Sequence, residues 1–274
     1  MRPWVNGDDI TGRPRGMWIV DFPAGMSERE AALFEKPWEY VTLAVYPVRK
    51  ENRRAAYASR WWVHVEPRTR MRAATATLPR LLVTPNLTKH RLFAWLAGSI
   101  LPDHQLFAFA RSDDYFFGVL HSRPHELWAI RTGTQLRDSK SGRRYTATTC
   151  FETFPMPWPP GREPRDDARI AAIANAAKTL NRLRETWLNP SPVDGLPLPD
   201  SELKKRTLTN LYNERPAWLR NAHGDLDRAV FAAYGWPEDP DALADEELLS
   251  RLLALNLERA APSPPSPGRA RGLR

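Results

Sequence analysis

The sequence predicts an α+β fold, a domain on a mixed or antiparallel sheet followed by a smaller all-α domain. Three observations predict it. Short apolar runs closed by turn residues fill the first part, as in Leu81-Leu82-Val83-Thr84 before Pro85-Asn86. A stiff, donor-poor stretch, Phe154-Pro155-Met156-Pro157-Trp158-Pro159-Pro160-Gly161, marks a boundary. Beyond it apolar residues recur at helical spacing: Ile170, Ile173, Ala177, Leu180, Leu183 and Trp187. The expected units are residues 1–157, residues 163–260 and a disordered basic tail, 261–274.

Element by element, Gly16 to Phe22 reads as a buried strand. Ser27-Glu28-Arg29-Glu30 is a capping box opening a short helix, and Pro37 suits the first turn of the next, to about Val45. Phe93-Ala94-Trp95-Leu96 and Leu106-Phe107-Ala108-Phe109-Ala110 read as further strands. Ser112 or Asp113 caps a helix carrying Phe117 and Leu120, which Pro124 interrupts and restarts. Tyr145 to Thr153 alternates well enough for a last strand. In the second part, Leu208, Leu211 and Tyr212 mark a helix after a linker from Pro190 to Pro199. Pro216 starts another, Asp225 to Tyr234 ends at Gly235, and Asp245 to Arg259 is amphipathic.

Charge narrows the function. The net charge is +8 with a pI near 9.9, which points to a polyanion. Between residues 49 and 91 eleven Lys or Arg face only Glu51 and Glu66, so the basicity is concentrated. Arg49, Arg53, Arg54, Arg60, Arg68, Arg72, Lys89, His90 and Arg91 are candidate phosphate contacts. Arg49, Arg53 and Arg60 could share a helical face, which as a merely solvated stripe would have no partner. Further on, Arg123, His125, Arg131, Gln135, Arg137, Lys140, Arg143 and Arg144 sit in or beside a polar loop between ordered segments. Arg pairs with guanine and Gln with adenine in the major groove, so these are candidate base readers.

Catalytic motifs do not emerge. The glycines lack phosphate-loop spacing, and Asn189-Pro190-Ser191-Pro192 lacks the second proline and aromatic of a base-methylation tetrapeptide. His121, His125 and Glu126 are broken in register by Pro124, so neither a metal site nor a catalytic residue is assigned. The single Cys150 excludes an internal disulfide framework and fits a reducing cytoplasm. No apolar run approaches a bilayer span and no secretory segment opens the chain, so no membrane partner is expected.

Several segments resemble one family. They are Arg2-Pro3-Trp4-Val5-Asn6-Gly7-Asp8-Asp9-Ile10, Trp18-Ile19-Val20-Asp21-Phe22, Trp61-Trp62, and Thr84-Pro85-Asn86 through Lys89-His90-Arg91. Next come Phe117-Gly118-Val119-Leu120-His121-Ser122 with His125 and Trp128, Arg144-Tyr145-Thr146, and Thr153-Phe154-Pro155-Met156-Pro157. Leu208-Thr209-Asn210-Leu211-Tyr212-Asn213 and Ala233-Tyr234-Gly235-Trp236-Pro237 continue the match. Together they resemble the C-terminal part of large adenine-specific DNA methyltransferases of the type II restriction–modification group and related phage-defence systems. The resemblance implies a target recognition domain followed by a helical domain, with double-stranded DNA as partner. It implies no cofactor on this chain; S-adenosylmethionine would belong to an upstream or separate catalytic subunit. Alone, the chain is expected to be inactive, as a truncated or split product or a specificity subunit. Two alternatives stand beside that reading. One is a split methyltransferase, active with a separate catalytic chain. The other is a protein adaptor docking through the apolar stripes of Ile170 to Trp187 and Leu248 to Leu257.

Overall fold

A computed structural model describes residues 1–135, 142–192 and 197–260. The strands are β1 (Arg2–Val5), β2 (Trp18–Ile19), β3 (Arg80–Pro85), β4 (Leu87–Thr88), β5 (Ala94–Ala97), β6 (Leu101–Pro102), β7 (Leu106–Phe109), β8 (Thr134–Gln135) and β9 (Arg143–Arg144). The first-part helices are α1 (Gly7–Thr11), α2 (Glu28–Ala32), α3 (Glu35–Ala44), α4 (Tyr46–Arg49), α5 (Ala55–Ser59), α6 (Thr69–Thr75), α7 (Asp114–His121) and α8 (Arg123–Thr132). The rest are α9 (Ala168–Leu188), α10 (Asp200–Leu203), α11 (Leu208–Glu214), α12 (Ala217–Tyr234) and α13 (Asp245–Ala260). The fold class is α+β, with small mixed and antiparallel sheets.

Among the described residues three small sheets form, ordered β2-β1-β6, β5-β3-β7 and β4-β9-β8. β1 runs parallel to β6 and antiparallel to β2, while β3 is antiparallel to both its neighbours. Leu81, Leu82 and Val83 are buried in succession, as expected of a central strand covered on both faces. α7 is buried along almost its whole length, and α9 and α12 pack on it. Gly118 permits that approach: a Cβ there would lie 2.7 Å from Ile173 Cγ2 and 3.0 Å from the Ala177 Cβ.

One apolar core runs from Ile10 through β3 and α7 to Leu252 of α13, and a smaller one gathers Phe22, Ala31, Val41, Trp61 and Val63. The proline-rich stretch is a strap within the larger core. Phe154 and Met156 are buried. Tyr234 donates to the Pro155 carbonyl at 2.8 Å, Asn256 to Thr153 at 2.6 Å, and Arg259 to Met156 and Pro157 at 2.5 and 3.0 Å. Proline supplies carbonyls without competing donors, which suits it to being gripped from outside.

Several sequence expectations differ from the structure. The run Gly16 to Phe22 contributes only the two-residue edge β2, with Trp18 exposed; its pairing with β1 ends where the chain turns toward Phe22. The region Tyr145 to Thr153 is no strand. Thr146 caps a π-type turn, Ala147–Phe151, because its hydroxyl accepts from the Thr149 amide. Arg49, Arg53 and Arg60 share no helix: α4 stops at Arg49 and α5 covers Ala55–Ser59. Ala217–Tyr234, preceded by Pro216 at its N-cap, form one helix where two were expected. Residues 193–196 of the expected linker, Pro190 to Pro199, and the expected tail, 261–274, lie outside the described residues.

Candidate nucleic-acid interface

The interface is built on a three-stranded patch. β9 pairs with β8 as a hairpin (Thr134↔Arg144, Gln135↔Arg143) and with β4 on its other edge (Leu87↔Arg144, Thr88↔Arg143). Alternation along β9 splits its two arginines. Arg143 is half-buried and donates to the Ile130 carbonyl of α8, whereas Arg144 is exposed. Lys89 follows β4, and Arg131 lies in the last turn of α8; both are exposed. Tertiary structure thus brings Lys89, Arg131 and Arg144 to the stem of one hairpin. Arg137 and Lys140 lie outside the described residues, as does the side chain of Gln135.

Gly142 anchors that hairpin. Its φ is +76°, and a Cβ would stand 2.2 Å from the Thr88 carbonyl oxygen of β4. Gly142→Ala is therefore expected to detach the hairpin from β4 and to cost about 1–3 kcal/mol, from left-handed strain and the clash together. Faster amide exchange at Thr88 and Arg144, with core amides unchanged, would show it. Unaltered exchange there would refute it.

Arg123, His125 and Arg91 are corrected by the structure. His125 is completely buried: its Nδ1 lies 2.7 Å from the Leu120 carbonyl and its Nε2 3.0 Å from the Tyr145 hydroxyl. The carbonyl can only accept, so Nδ1 carries the proton and Tyr145 donates to Nε2. Burial lowers its pKa to about 3. It supports the turn between α7 and α8 and faces no groove. Arg123 clamps the C-terminal helices, donating to the Pro240 carbonyl, to the Leu243 carbonyl at 2.7 Å and to Asp245 at 2.5 Å. Arg91 donates to Thr84 Oγ1 at 2.9 Å, to the Pro85 carbonyl at 2.6 Å and to the Arg143 carbonyl at 3.1 Å, and it stacks on Tyr145. Burial lowers its pKa to about 10, so it remains charged at neutral pH.

The expected phosphate group divides likewise. Arg49 donates to the Trp61 and Val63 carbonyls at 3.1 and 2.5 Å, and burial lowers its pKa. Arg72 grips Asp21 through two bonds of 2.7 and 2.9 Å. Lys89 and His90 meet at the Asn213 Oδ1 of α11, 2.6 and 2.9 Å away. Arg53, Arg54, Arg60 and Arg68 are exposed. Of these, Arg54 donates to the Tyr57 hydroxyl at 2.8 Å, Arg60 to the Ala24 carbonyl, and Arg68 pairs with Glu66. Much of the basic run therefore stabilises the fold, and the cations left exposed are Arg53, Arg54, Arg60 and Arg68 within it and Lys89, Arg131 and Arg144 at the hairpin stem.

The sequence reading missed one buried cluster. Arg184 is 1% exposed, yet it meets no carboxylate among the described residues. It donates to the Phe93 carbonyl at 2.9 Å and to His121 Nε2 at 2.7 Å. Arginine has no acceptor, so His121 Nε2 is unprotonated and the Tyr212 hydroxyl, 2.8 Å away, also donates to it. Tyr212 then accepts from His223 Nε2 at 2.9 Å. The signal was available: residue 184 continues the apolar spacing of Ile173, Ala177 and Leu180 on α9. The apolar stripes expected to dock a partner also face inward, with Ile173, Leu180, Leu248 and Leu252 buried. Among the described residues, no helix is long and apolar enough to cross a membrane, and no three His, Cys, Asp or Glu converge as metal ligands.

No protein-family profile matches the chain. Over 183 residues it is 27% identical to DNA methyltransferase A of Bacillus subtilis (strain 168), a match covering 65% of this chain and 18% of that protein. Its fold superposes with a TM-score of 0.67, at 19% identity, on the Type IIL restriction–modification enzyme MmeI, solved in complex with DNA. That likeness covers 94% of this chain and 31% of MmeI. The chain thus spans less than a third of the length of either relative, and its fold is related to that of a restriction–modification enzyme.

Proposed function

We propose that this chain is the sequence-reading DNA module of a site-specific, adenine-N6 methyltransferase system of the restriction–modification or phage-defence type. Residues 1–157 would read DNA and residues 163–260 would brace the reader. The observation that carries this reading is the β4-β9-β8 patch, which gathers Lys89, Arg131 and Arg144 at the stem of one hairpin. A two-stranded β-ribbon, such as β8 with β9, fits the major groove, where Arg reads guanine through paired hydrogen bonds. The likeness to an enzyme solved with DNA supports the same reading. In this proposal Arg144 reads a base edge, with Arg137, Lys140 and Gln135 as further candidates. Lys89, Arg53, Arg54 and Arg68 hold phosphates.

The chemistry of methyl transfer, with S-adenosylmethionine, would reside on polypeptide to which this chain has no counterpart. Within this reading no residue of the chain is assigned a catalytic role.

Duplex binding is expected to weaken steeply between 50 and 200 mM salt, roughly tenfold or more if three or more phosphates are neutralised. Arg144→Ala is expected to cost about 1–3 kcal/mol at its preferred site and to relax one base position. Lys89→Ala should weaken all sequences equally and flatten the salt slope. Binding selections with randomised duplexes measure both. Salt-independent binding, or an Arg144→Ala variant with unchanged preference, would reject the assignment.

A further inference from the structure

The β4-β9-β8 patch carries its exposed side chains in one row. Residues paired directly across antiparallel strands share a face, and neighbours along a strand alternate between faces. Leu87 pairs with Arg144, and Arg144 with Thr134, so these three stand together on the outer face. All three are exposed, as is Lys89, two residues beyond Leu87. Thr88 and Arg143, on the other face, are half-buried.

Leu87 is the one wholly apolar side chain of that row. It is 37% exposed and packs against neither apolar core. An exposed leucine is ordinary by itself. This one is held at a fixed place against Arg144. The buried guanidinium of Arg91 donates to the Pro85 carbonyl at 2.6 Å, two residues before Leu87. It also donates to the Arg143 carbonyl at 3.1 Å, immediately before Arg144. The Tyr145 amide donates to the Asn86 carbonyl at 2.7 Å and closes the same join. Paired strands lie roughly 4.8 Å apart, and successive base pairs about 3.4 Å apart. A side chain one strand over from a base-reading arginine is therefore within reach of the next base pair.

The major groove offers such a side chain one apolar counterpart. Its base edges present donors and acceptors, and beside them the 5-methyl group of thymine; the minor groove presents no methyl. Leucine has no hydrogen-bonding group in its side chain, so it reads no base by bonds. We propose that Leu87 is a specificity-determining residue that packs on the 5-methyl group of a thymine in the base pair next to the guanine read by Arg144. The assignment rests on the DNA-reading function above and adds a second base to its site.

Uracil lacks that methyl group and pairs as thymine does, so it removes the contact without touching a hydrogen bond. In the duplex that the full chain prefers, each thymine is replaced in turn by deoxyuridine. Affinity is expected to fall about fourfold, the worth of one buried methyl group, at a single thymine adjacent to the position that Arg144→Ala relaxes. Leu87→Ala should weaken binding to the thymine duplex and abolish the thymine–uracil difference, with the thermal midpoint and the salt slope unchanged. A preferred site with no thymine beside that guanine would overturn the proposal. So would equal affinity for the thymine and uracil duplexes, or a difference that survives Leu87→Ala. Each of those outcomes still contains a preferred sequence and leaves the DNA-reading function standing. Duplex binding without a preferred sequence, or no duplex binding, would sink that function and the thymine contact with it.

Discussion

Arg184→Ala is expected to be the most damaging single substitution in the helical half. It deprives the Phe93 carbonyl of its donor, leaves His121 Nε2 with the Tyr212 hydroxyl alone, and opens a void between α7, α9 and α11. The orphaned carbonyl costs about 1–3 kcal/mol and the lost packing adds a similar amount, for a total on the order of 3–4 kcal/mol. Arg184→Met keeps most of the volume and should recover part of the loss. Tyr212→Phe removes one donor to His121 and the acceptor for His223, and should cost about 1–3 kcal/mol. The two losses should not add, because they break one network. Urea midpoints of the single and double variants decide it. An Arg184→Ala protein within 1 kcal/mol of the parent would show that the network stabilises nothing.

The second large effect is acid lability. Burial lowers the pKa of His125 and His223 to about 3, and burial together with the Arg184 charge holds His121 well below its ordinary range. Below about pH 6.5 the unfolded chain binds protons at these sites and the folded chain does not. Stability is therefore fully present above pH 6.5 and is lost as pH falls toward 3. Asp227 acts in the opposite sense. Burial raises it to about 7, so the folded chain keeps a proton there that the unfolded chain has released. Three histidines, with His64 also lowered by burial, outweigh that carboxyl and Glu126, which burial raises, so unfolding takes up protons on balance. Each proton is worth about 1.4 kcal/mol per pH unit. Urea midpoints at pH 7, 6 and 5 should fall in sequence, and His223→Gln should reduce the slope by about one proton. A flat profile between pH 7 and 5 would rule this out.

What was legible in the sequence was local. The Ser27–Glu30 capping box forms with both of its reciprocal bonds. Asp113 caps α7, Pro124 opens α8 after a break, and Gly235 ends α12, each as read. These features depend on hydrogen bonds within about four residues, or on the fixed φ of proline and the freedom of glycine, so the chain itself determines them. The α+β class follows from hydrophobic spacing in the same way.

What only the tertiary structure decided was the employment of each polar side chain. A count of charge between residues 49 and 91 cannot distinguish Arg49 and Arg91, whose guanidinium groups are consumed by carbonyls, from Arg53, which is exposed. Some of those carbonyls lie far along the chain, as for Arg123 at Pro240 and Leu243. The same holds for Asp114 to Pro157, whose histidines turned out to be core and whose hairpin stem carries the exposed cations. A long side chain can bury its stem and spend its charge wherever the fold offers an acceptor. Sequence therefore determined that this chain is basic, helical in its second half and sheet-bearing in its first. Folding determined which of its cations hold the protein together and which remain exposed to meet a partner.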